Sequence, residues 1–232
     1  MQLSKRQLAY LLQQQFDAPT LDQYIKSLGP AAWFRAGVGQ TVTGSGVSTW
    51  ADQSGNGRDL LQGTDSARPA LQADGSVLFN GSSHYLKCNT FTLNQPTTVL
   101  LAVKQISYTA GDTLCDGNSV GTMRVIQGNG SSGDLYARQS VTLQGGNLPI
   151  GTLGVVSYVA NGANSSIGIN LAASATGDTG VANAGGFTLG ANATPGGYFN
   201  GQFYEALVLP IAPSTAQLDR LVAGLMARHG LT

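Results

Sequence analysis

The amino-acid sequence predicts an all-β protein in which many short antiparallel strands form a sandwich or a barrel. Glycine is abundant, at 32 of 232 residues, and glutamate occurs only once, so the composition disfavours helix and favours turns. Short apolar or alternating runs are separated by glycine, asparagine and serine. No regular alternation of strand and helix is present, and this argues against a parallel sheet.

Eight segments have the length and the pattern of strands. They are 76–79, 97–105, 123–127, 135–139, 154–160, 166–171, 187–190 and 202–209. The segments 97–105 and 154–160 are rich in β-branched and apolar residues, which is typical of central strands. The dipeptide Asn161-Gly162 favours a tight turn, so 166–171 is expected to return antiparallel to 154–160.

Residues 1–29 form a predicted N-terminal arm of two short helices. Ser4 and Thr20 are suited to cap these helices, and Gly29-Pro30 ends the second one. The first helix carries an apolar stripe of Leu8, Leu11, Leu12 and Phe16. The arm either packs on the main domain or docks the chain to a larger assembly, and packing is the simpler interpretation.

Residues 30–232 form the predicted main domain, which ends in a C-terminal helix. Ser214 and Gln217 fit a capping box at the start of this helix, and a glycine at position 230 follows its cationic last turn. Its apolar face consists of Leu218, Leu221, Val222, Leu225 and Met226. We therefore expect the helix to pack on the strands.

The charge balance argues against nucleic acid and membrane as partners. Twelve basic residues are matched by twelve acidic ones, giving a net charge of zero. No apolar run reaches the length of about 18 residues that a membrane span needs. The N-terminus lacks the pattern of a secretory signal, so for a role outside the cell we expect another route, such as a virus particle released by lysis or a specialised secretion system.

Few side chains are suited to catalysis or metal binding. A glycosidase normally uses two carboxylates, and with Glu205 as the single glutamate only an Asp pair or an Asp with Glu205 is available. Two histidines and the cysteines Cys88 and Cys115 are too few for a typical zinc site, and two free thiols are a simpler interpretation than one disulfide. No cofactor is predicted. Ca²⁺ binding would need several oxygen ligands, and Asp52 alone does not supply them. The group Asp112, Asp116, Asn118 and Asp134 lies in glycine-rich segments but lacks the fixed spacing of a calcium loop, so solvated turns are the favoured interpretation.

Four stretches of the chain carry a resemblance to a known family. They are Ala32-Trp33-Phe34-Arg35-Ala36, the run Trp50-Ala-Asp52-Gln-Ser54-Gly55-Asn56-Gly57, the segment 77–86, and the closing segment 201–209 with Glu205. Over about residues 30–231 the chain resembles the laminin-G-like, concanavalin-A-like jelly-roll domains of bacterial surface proteins and bacteriophage structural proteins. The resemblance implies an antiparallel two-sheet jelly-roll sandwich with a terminal helix. Arg35 stands where the family commonly has Asp.

The strongest of these motifs has a structural interpretation. Asp52 and Ser54 are suited to accept backbone N–H groups in a tight loop, while Gly55 and Gly57 supply positive φ angles around Asn56. Trp33 and Trp50 are interpreted as core anchors rather than as platforms for a sugar ring.

The resemblance, together with the missing signal peptide and catalytic set, predicts a non-catalytic bacteriophage virion protein. In this hypothesis the chain decorates a capsid or forms part of a tail or head fibre, lies in the virion, contacts other virion proteins and forms a homo-oligomer. The alternative is a carbohydrate-binding module, extracellular or at the cell surface, in which Tyr136 and Tyr198 beside glycine-rich turns stack on sugar rings. A third hypothesis is an enzyme that acts on polysaccharide.

Overall fold

The computed structural model describes residues 19–172 and 174–231 and shows two antiparallel β-sheets with two short helices. The first predicted helix of the arm lies outside the described residues. The helices are α1 (Leu21–Ser27) and α2 (Thr215–Arg228), with single 3₁₀ turns at Asp65–Ala67 and Gly162–Asn164. The strands are β1 (Ala32–Arg35), β2 (Gln40–Thr43), β3 (Gly46–Trp50), β4 (Leu60–Leu61), β5 (Ala70–Leu71), β6 (Val77–Asn80), β7 (Leu86–Lys87), β8 (Thr97–Gln105), β9 (Thr113–Asp116), β10 (Arg124–Gln127), β11 (Asp134–Arg138), β12 (Thr142–Asn147), β13 (Leu153–Ala160), β14 (Ser165–Ile169), β15 (Ala175–Gly177), β16 (Thr188–Leu189) and β17 (Asn200–Leu209).

The strands pair in two sheets that form a sandwich. The first sheet has the order β15-β14-β13-β8-β17-β6-β5, with β1 also paired to β17. The second sheet has the order β12-β11-β10-β9-β16-β7-β4-β3-β2. Every pairing between these named strands is antiparallel. The predicted fold class, an all-β antiparallel two-sheet sandwich with a C-terminal helix, is confirmed.

The central strand β8 shows how the layers are arranged. Val99, Leu101 and Val103 belong to the core between the sheets. Leu100 and Ala102, which point to the other face, belong to a second core that includes residues of both helices. Since side chains alternate along a strand, β8 is buried on both faces, as the sequence predicted for a central strand. The helices therefore cover the outer face of the eight-stranded sheet.

Both helices begin at the residues that the sequence predicted. The Thr20 side chain accepts a hydrogen bond from the backbone of Gln23, and the Gln23 side chain accepts one from the backbone of Thr20. Ser214 and Gln217 make the same reciprocal pair at α2. A capping box satisfies two of the donors that a helix leaves free at its start. In the described part of the chain neither helix is long and apolar enough to cross a membrane.

The predicted hairpin has the expected direction but a different turn. Strands β13 and β14 pair antiparallel, with Val159 opposite Ser166. Asn161 has a φ of −151°, so only Gly162, at +54°, adopts the positive φ that a two-residue turn needs at both positions. The chain continues into the 3₁₀ turn, whose end is held by the Ser165 hydroxyl donating to the Gly162 carbonyl at 2.7 Å. The connection between β13 and β14 is therefore longer than a two-residue turn, because it contains the 3₁₀ turn.

Both cysteines are free and buried between the sheets. Cys88 is 3% exposed and Cys115 is fully buried. Burial raises the pKa of both thiols far above the ordinary range, because the charged thiolate is poorly solvated there. The two thiols are therefore protonated and part of the core.

Candidate functional site

The loop after β3 is organised by the carboxylate of Asp52. Its Oδ1 accepts the backbone N–H of Trp33 at 2.9 Å and of Ser54 at 2.8 Å. Its Oδ2 accepts the Ser54 hydroxyl at 2.6 Å and the backbone N–H of Arg58 at 3.1 Å. Four hydrogen bonds to one carboxylate fix the loop against strand β1, because an acceptor-only group gathers donors from both segments.

The same loop is tied to the chain before β1 by two side chains. Asn56 Nδ2 donates to the Pro30 carbonyl at 2.9 Å, and Arg58 Nη1 donates to the Ala31 carbonyl at 2.9 Å. Gly55 and Gly57 have φ angles of +93° and +66°, which glycine adopts without steric cost. The motif therefore holds Arg58 and Asp59, which directly follow it, at a defined place on the surface.

Beside this loop an open groove crosses strands β4 and β7 on the outer face of the nine-stranded sheet. Leu60 and Leu86 are buried in the core, so the next residues along each strand, Leu61 and Lys87, face outward. The groove consists of two adjoining depressions of about 410 and 320 Å³. They share Leu61, Asn89 and Thr90. We call this feature the β4–β7 groove.

Polar and aromatic side chains line the two halves of the groove. At one end the guanidinium of Arg58 lies 4.1 Å from the centre of the Phe91 ring, and Asp59 lies beside it. At the other end Lys87 Nζ donates to the Ala193 carbonyl at 2.9 Å, and Asn118 Nδ2 donates to the Thr90 hydroxyl at 3.1 Å. The groove thus presents amide, ammonium and carboxylate groups beside an exposed apolar surface. This combination suits a ligand that has both hydroxyl groups and apolar faces.

A separate depression, of about 450 Å³, lies on the opposite side of the molecule, where α1 and the end of α2 meet the eight-stranded sheet. Its lining residues are Asp22, Arg35, Ala36, Asp74, Tyr204, Arg228 and His229. The β1–β17 register places Arg35 opposite Glu205. Glu205 is fully buried and accepts from Trp33 Nε1 at 2.7 Å and from Arg228 Nη1 at 2.6 Å. We call this network the helix clasp.

Charges in the helix clasp are paired with one another. His229 Nε2 lies 2.9 Å from Glu205 Oε2. Arg35 contacts Asp22 at 2.6 Å, and Arg228 also contacts Asp22. Burial alone raises the pKa of Asp22, but the hydrogen bonds and charges of the two arginines outweigh it and lower the pKa below its ordinary value. The clasp joins both helices to strands β1 and β17.

The tyrosines predicted to bind sugar lie outside the groove lining. Tyr136 lies on β11 and is half-buried, and its ring covers Gly128 so closely that a Cβ there would lie 2.4 Å from it. Tyr198 is half-buried and bridges to Thr113. Among the described residues no aromatic contact joins the two rings.

The motif tryptophans lie in the two different cores. Trp50 is buried between the sheets, where its ring is 6.0 Å from Phe34. Trp33 is buried under the helices. Asp52 uses its oxygens on loop donors, and within residues 19–172 and 174–231 no three His, Cys, Asp or Glu side chains are grouped to hold a metal ion.

Sequence reasoning missed Lys87, Asn89, Thr90 and Phe91 as groove residues. A signal for one wall was present, because Arg58 and Asp59 directly follow the Trp50–Gly57 motif and the motif fixes their place. No signal of comparable strength marked the other wall. Strands β4 and β7 have only two residues each, which is too short for a periodic pattern to show which side chains face outward.

Comparison with known proteins shows similarity in structure only. No family model matches the chain, and no curated protein matches it. The structure is similar to a Trypanosoma rangeli sialidase in complex with sialic acid, with a TM-score of 0.63 and 10% identity over 98% of this chain and 40% of the sialidase. It is similar to domain 4 of AbnA, a GH43 extracellular arabinanase from Geobacillus stearothermophilus, in complex with arabinotriose. There the TM-score is 0.55 and the identity 20%, over 74% of this chain and 92% of that domain.

A third similar structure is an arabinofuranosidase complexed with arabinofuranosyl-alpha-1,2-xylobiose, with a TM-score of 0.59 and 15% identity over 86% of this chain and 59% of the enzyme. The chain thus spans two fifths of the sialidase and about three fifths of the arabinofuranosidase. At these identities the likeness shows a shared fold. The class that the fold defines is a two-sheet antiparallel β-sandwich.

These neighbours correct two predictions made from the sequence. The prediction of a bacteriophage virion protein, as capsid decoration or fibre, is wrong, because the similar structures are glycoside hydrolases and a domain of one. The prediction that the chain has no enzymatic role is contradicted by the same neighbours. The physical reason is that the motif from Trp50 to Gly57 specifies a loop of the sandwich, and a loop that stabilises a fold does not reveal which function the fold carries.

Proposed function

We propose that this chain is a carbohydrate-binding domain whose β4–β7 groove holds an oligosaccharide. The observation that supports this most is its likeness to domain 4 of the arabinanase, a domain of which the chain covers 92% and which binds arabinotriose. We also propose an extracellular or cell-surface location, because polysaccharides are found there.

The lining of the groove supports the proposal on chemical grounds. A sugar ring presents apolar C–H faces and a rim of hydroxyl groups. Leu61 is 39% exposed and offers an apolar surface to a ring face. Asn89, Asn118 and Asp59 offer amide and carboxylate groups to hydroxyls. Each depression is of the size of a small-molecule site, and both are open, as a chain-like ligand requires.

Titration calorimetry with arabinotriose and xylo-oligosaccharides tests the proposal. We expect Asn118→Ala to weaken binding about tenfold, because a lost hydrogen bond at a ligand site costs on the order of 1.4 kcal/mol. Tyr136→Ala and Tyr198→Ala are the matched controls and are expected to leave the affinity unchanged. The opposite pattern would place the ligand on the tyrosine surface instead of in the groove.

Glycoside hydrolysis by the helix clasp is a second candidate. The depression there gathers Asp22, Asp74 and the nearby Glu205, and hydrolysis of a glycosidic bond uses two carboxyl groups. The pKa of Asp74 is lowered, first by hydrogen bonds from Ser76, and that of Asp22 is lowered as well, which suits a base better than an acid. Release of labelled arabinose that Asp74→Asn abolishes would support this candidate, and no release by the purified chain would eliminate it.

A further inference from the structure

We propose, on the basis of the function proposed above, that the half of the groove around Lys87 binds the carboxylate of an acidic sugar. The ligand class is then an oligosaccharide that contains uronic acid residues. Three features of the groove lead to this inference: the sign of the charge in each half, the contacts of the Lys87 ammonium, and the groups beside it.

The charge differs between the two halves of the groove. The half around Lys87 is lined by neutral side chains, among them Leu61, Thr90 and Asn118, and by Lys87 itself. This lining contains one cation and no carboxylate. The other half contains both Arg58 and Asp59, whose charges balance. An anionic group of a ligand is therefore attracted to the Lys87 half.

Lys87 forms no ion pair within the described part of the chain. Its ammonium donates to the Ala193 carbonyl at 2.9 Å, which fixes its position and leaves two of its three N–H groups for a ligand. The strand register places Asp116 two strands away from Lys87, since Thr188 pairs with both residues. The two side chains form no ion pair with each other.

The carboxylate of Asp116 is hydrogen-bonded to the loops around it. Its oxygens accept backbone N–H groups from Gly117 at 2.9 Å and from Gly121 and Ala193 at 3.1 Å. The residue is fully buried under these loops. Asp116 therefore holds the loops that cover it, and the ammonium of Lys87, which lines the groove, has no ion-pair partner among the described residues.

The groups beside Lys87 complete a site for a carboxylate on a sugar. Asn118 donates one amide hydrogen to Thr90 and keeps the second. A carboxylate has two oxygens and accepts hydrogen bonds from an ammonium and an amide together, and such charge-assisted bonds are the stronger kind. The exposed side chain of Leu61 lies opposite Lys87 in the strand pairing, where it can contact the ring that carries the carboxylate.

Titration calorimetry with a matched pair of ligands tests this inference. The pair is an oligogalacturonate and the same oligosaccharide with its carboxyl groups methyl-esterified, which removes the charge and keeps the sugar. We expect the free acid to bind the wild-type chain about tenfold more tightly than the ester, and its affinity to fall as salt is added. A sulfated oligosaccharide of the same length tests whether any anion suffices.

Three variants test whether Lys87 causes the difference in affinity between the acid and the ester. Lys87→Met keeps the aliphatic stem and is expected to bind the acid about as weakly as the wild type binds the ester. Lys87→Arg keeps the charge and is expected to retain most of the affinity. Lys26→Met, at an exposed lysine on α1, is the control for loss of one positive charge.

The outcomes separate this inference from the proposed function. Equal binding of acid and ester, with both weakened by Asn118→Ala, would overturn the inference and leave the carbohydrate-binding groove in place. Tighter binding of the sulfated ligand than of the acid would also overturn it. Binding of no oligosaccharide in either form would refute both proposals.

Discussion

Replacement of the single glutamate of the chain is expected to weaken the fold while leaving the groove unchanged. Glu205→Gln keeps the size of the side chain and removes its charge. The carboxylate is 1% exposed and is held by Trp33, Arg228 and His229 at 2.6 to 2.9 Å. Its loss leaves Arg228, with a side chain 20% exposed, without its buried partner.

The magnitude follows from the burial and from the contacts that remain. Breaking a buried ion pair by removing one partner costs about 3–5 kcal/mol. Arg228 keeps its contact with Asp22, so we expect the lower end, about 3 kcal/mol. For a domain of this size that corresponds to a decrease in melting temperature of about 6–12 °C.

Urea unfolding followed by tryptophan fluorescence measures the change, since the Trp33 indole is itself a donor to Glu205. Asp219→Asn, at an exposed acid on α2, is the control and is expected to change the free energy of unfolding by less than about 0.5 kcal/mol. A loss below about 1 kcal/mol for Glu205→Gln would refute the view that the clasp stabilises the helices on the sheet.

Three further predictions concern stability and reactivity. The lowered pKa of Asp22 means that its carboxylate stabilises the fold at neutral pH and loses this effect as the pH falls through the folded-state pKa, below the ordinary 3.8. The difference in unfolding free energy between the wild type and Asp22→Asn should therefore stay constant above about pH 5 and shrink as the pH falls from about 4, the usual pKa of an aspartate, through the lower folded-state pKa; a difference that stays constant down to the acid end would contradict this. Gly190→Ala should cost about 3 kcal/mol in urea unfolding, because its Cβ would lie 2.1 Å from Phe79 at a φ of +82°. Gly55→Ala, which meets nothing within 4 Å, should cost only about 1 kcal/mol, and equal costs would refute the steric argument. The two buried thiols should react with a thiol reagent only after unfolding, and rapid labelling of the native chain would contradict their burial.

The fold was largely predictable because its central strands are long and buried on both faces. The segment 97–105 coincides with β8, and 154–160 differs from β13 by one residue at its start. Such strands are recognisable because burial on both faces requires an uninterrupted apolar run. The four-residue strand β9 was not predicted, although all of its residues are buried, because Thr113 and Asp116 interrupt its apolar pattern.

The candidate site was harder to predict because its residues are distant in sequence. Leu61 and Lys87 become neighbours only through the pairing of β4 with β7. Asn118 reaches the groove by its contact with Thr90. The glycine-rich turns beside Tyr136 predict an exposed ring, whereas Gly128 leaves room for that ring to pack on the chain. Single-sequence patterns report local structure, and none of these contacts is local.

Backbone amide shifts measured by NMR during titration with the oligosaccharide that binds best show which surface of the chain holds the ligand. We expect the largest changes to cluster at the groove, at Leu61, Lys87, Asn89 and Asn118. Changes that cluster at Tyr136 or at the helix clasp, with the groove amides unchanged, would contradict this expectation.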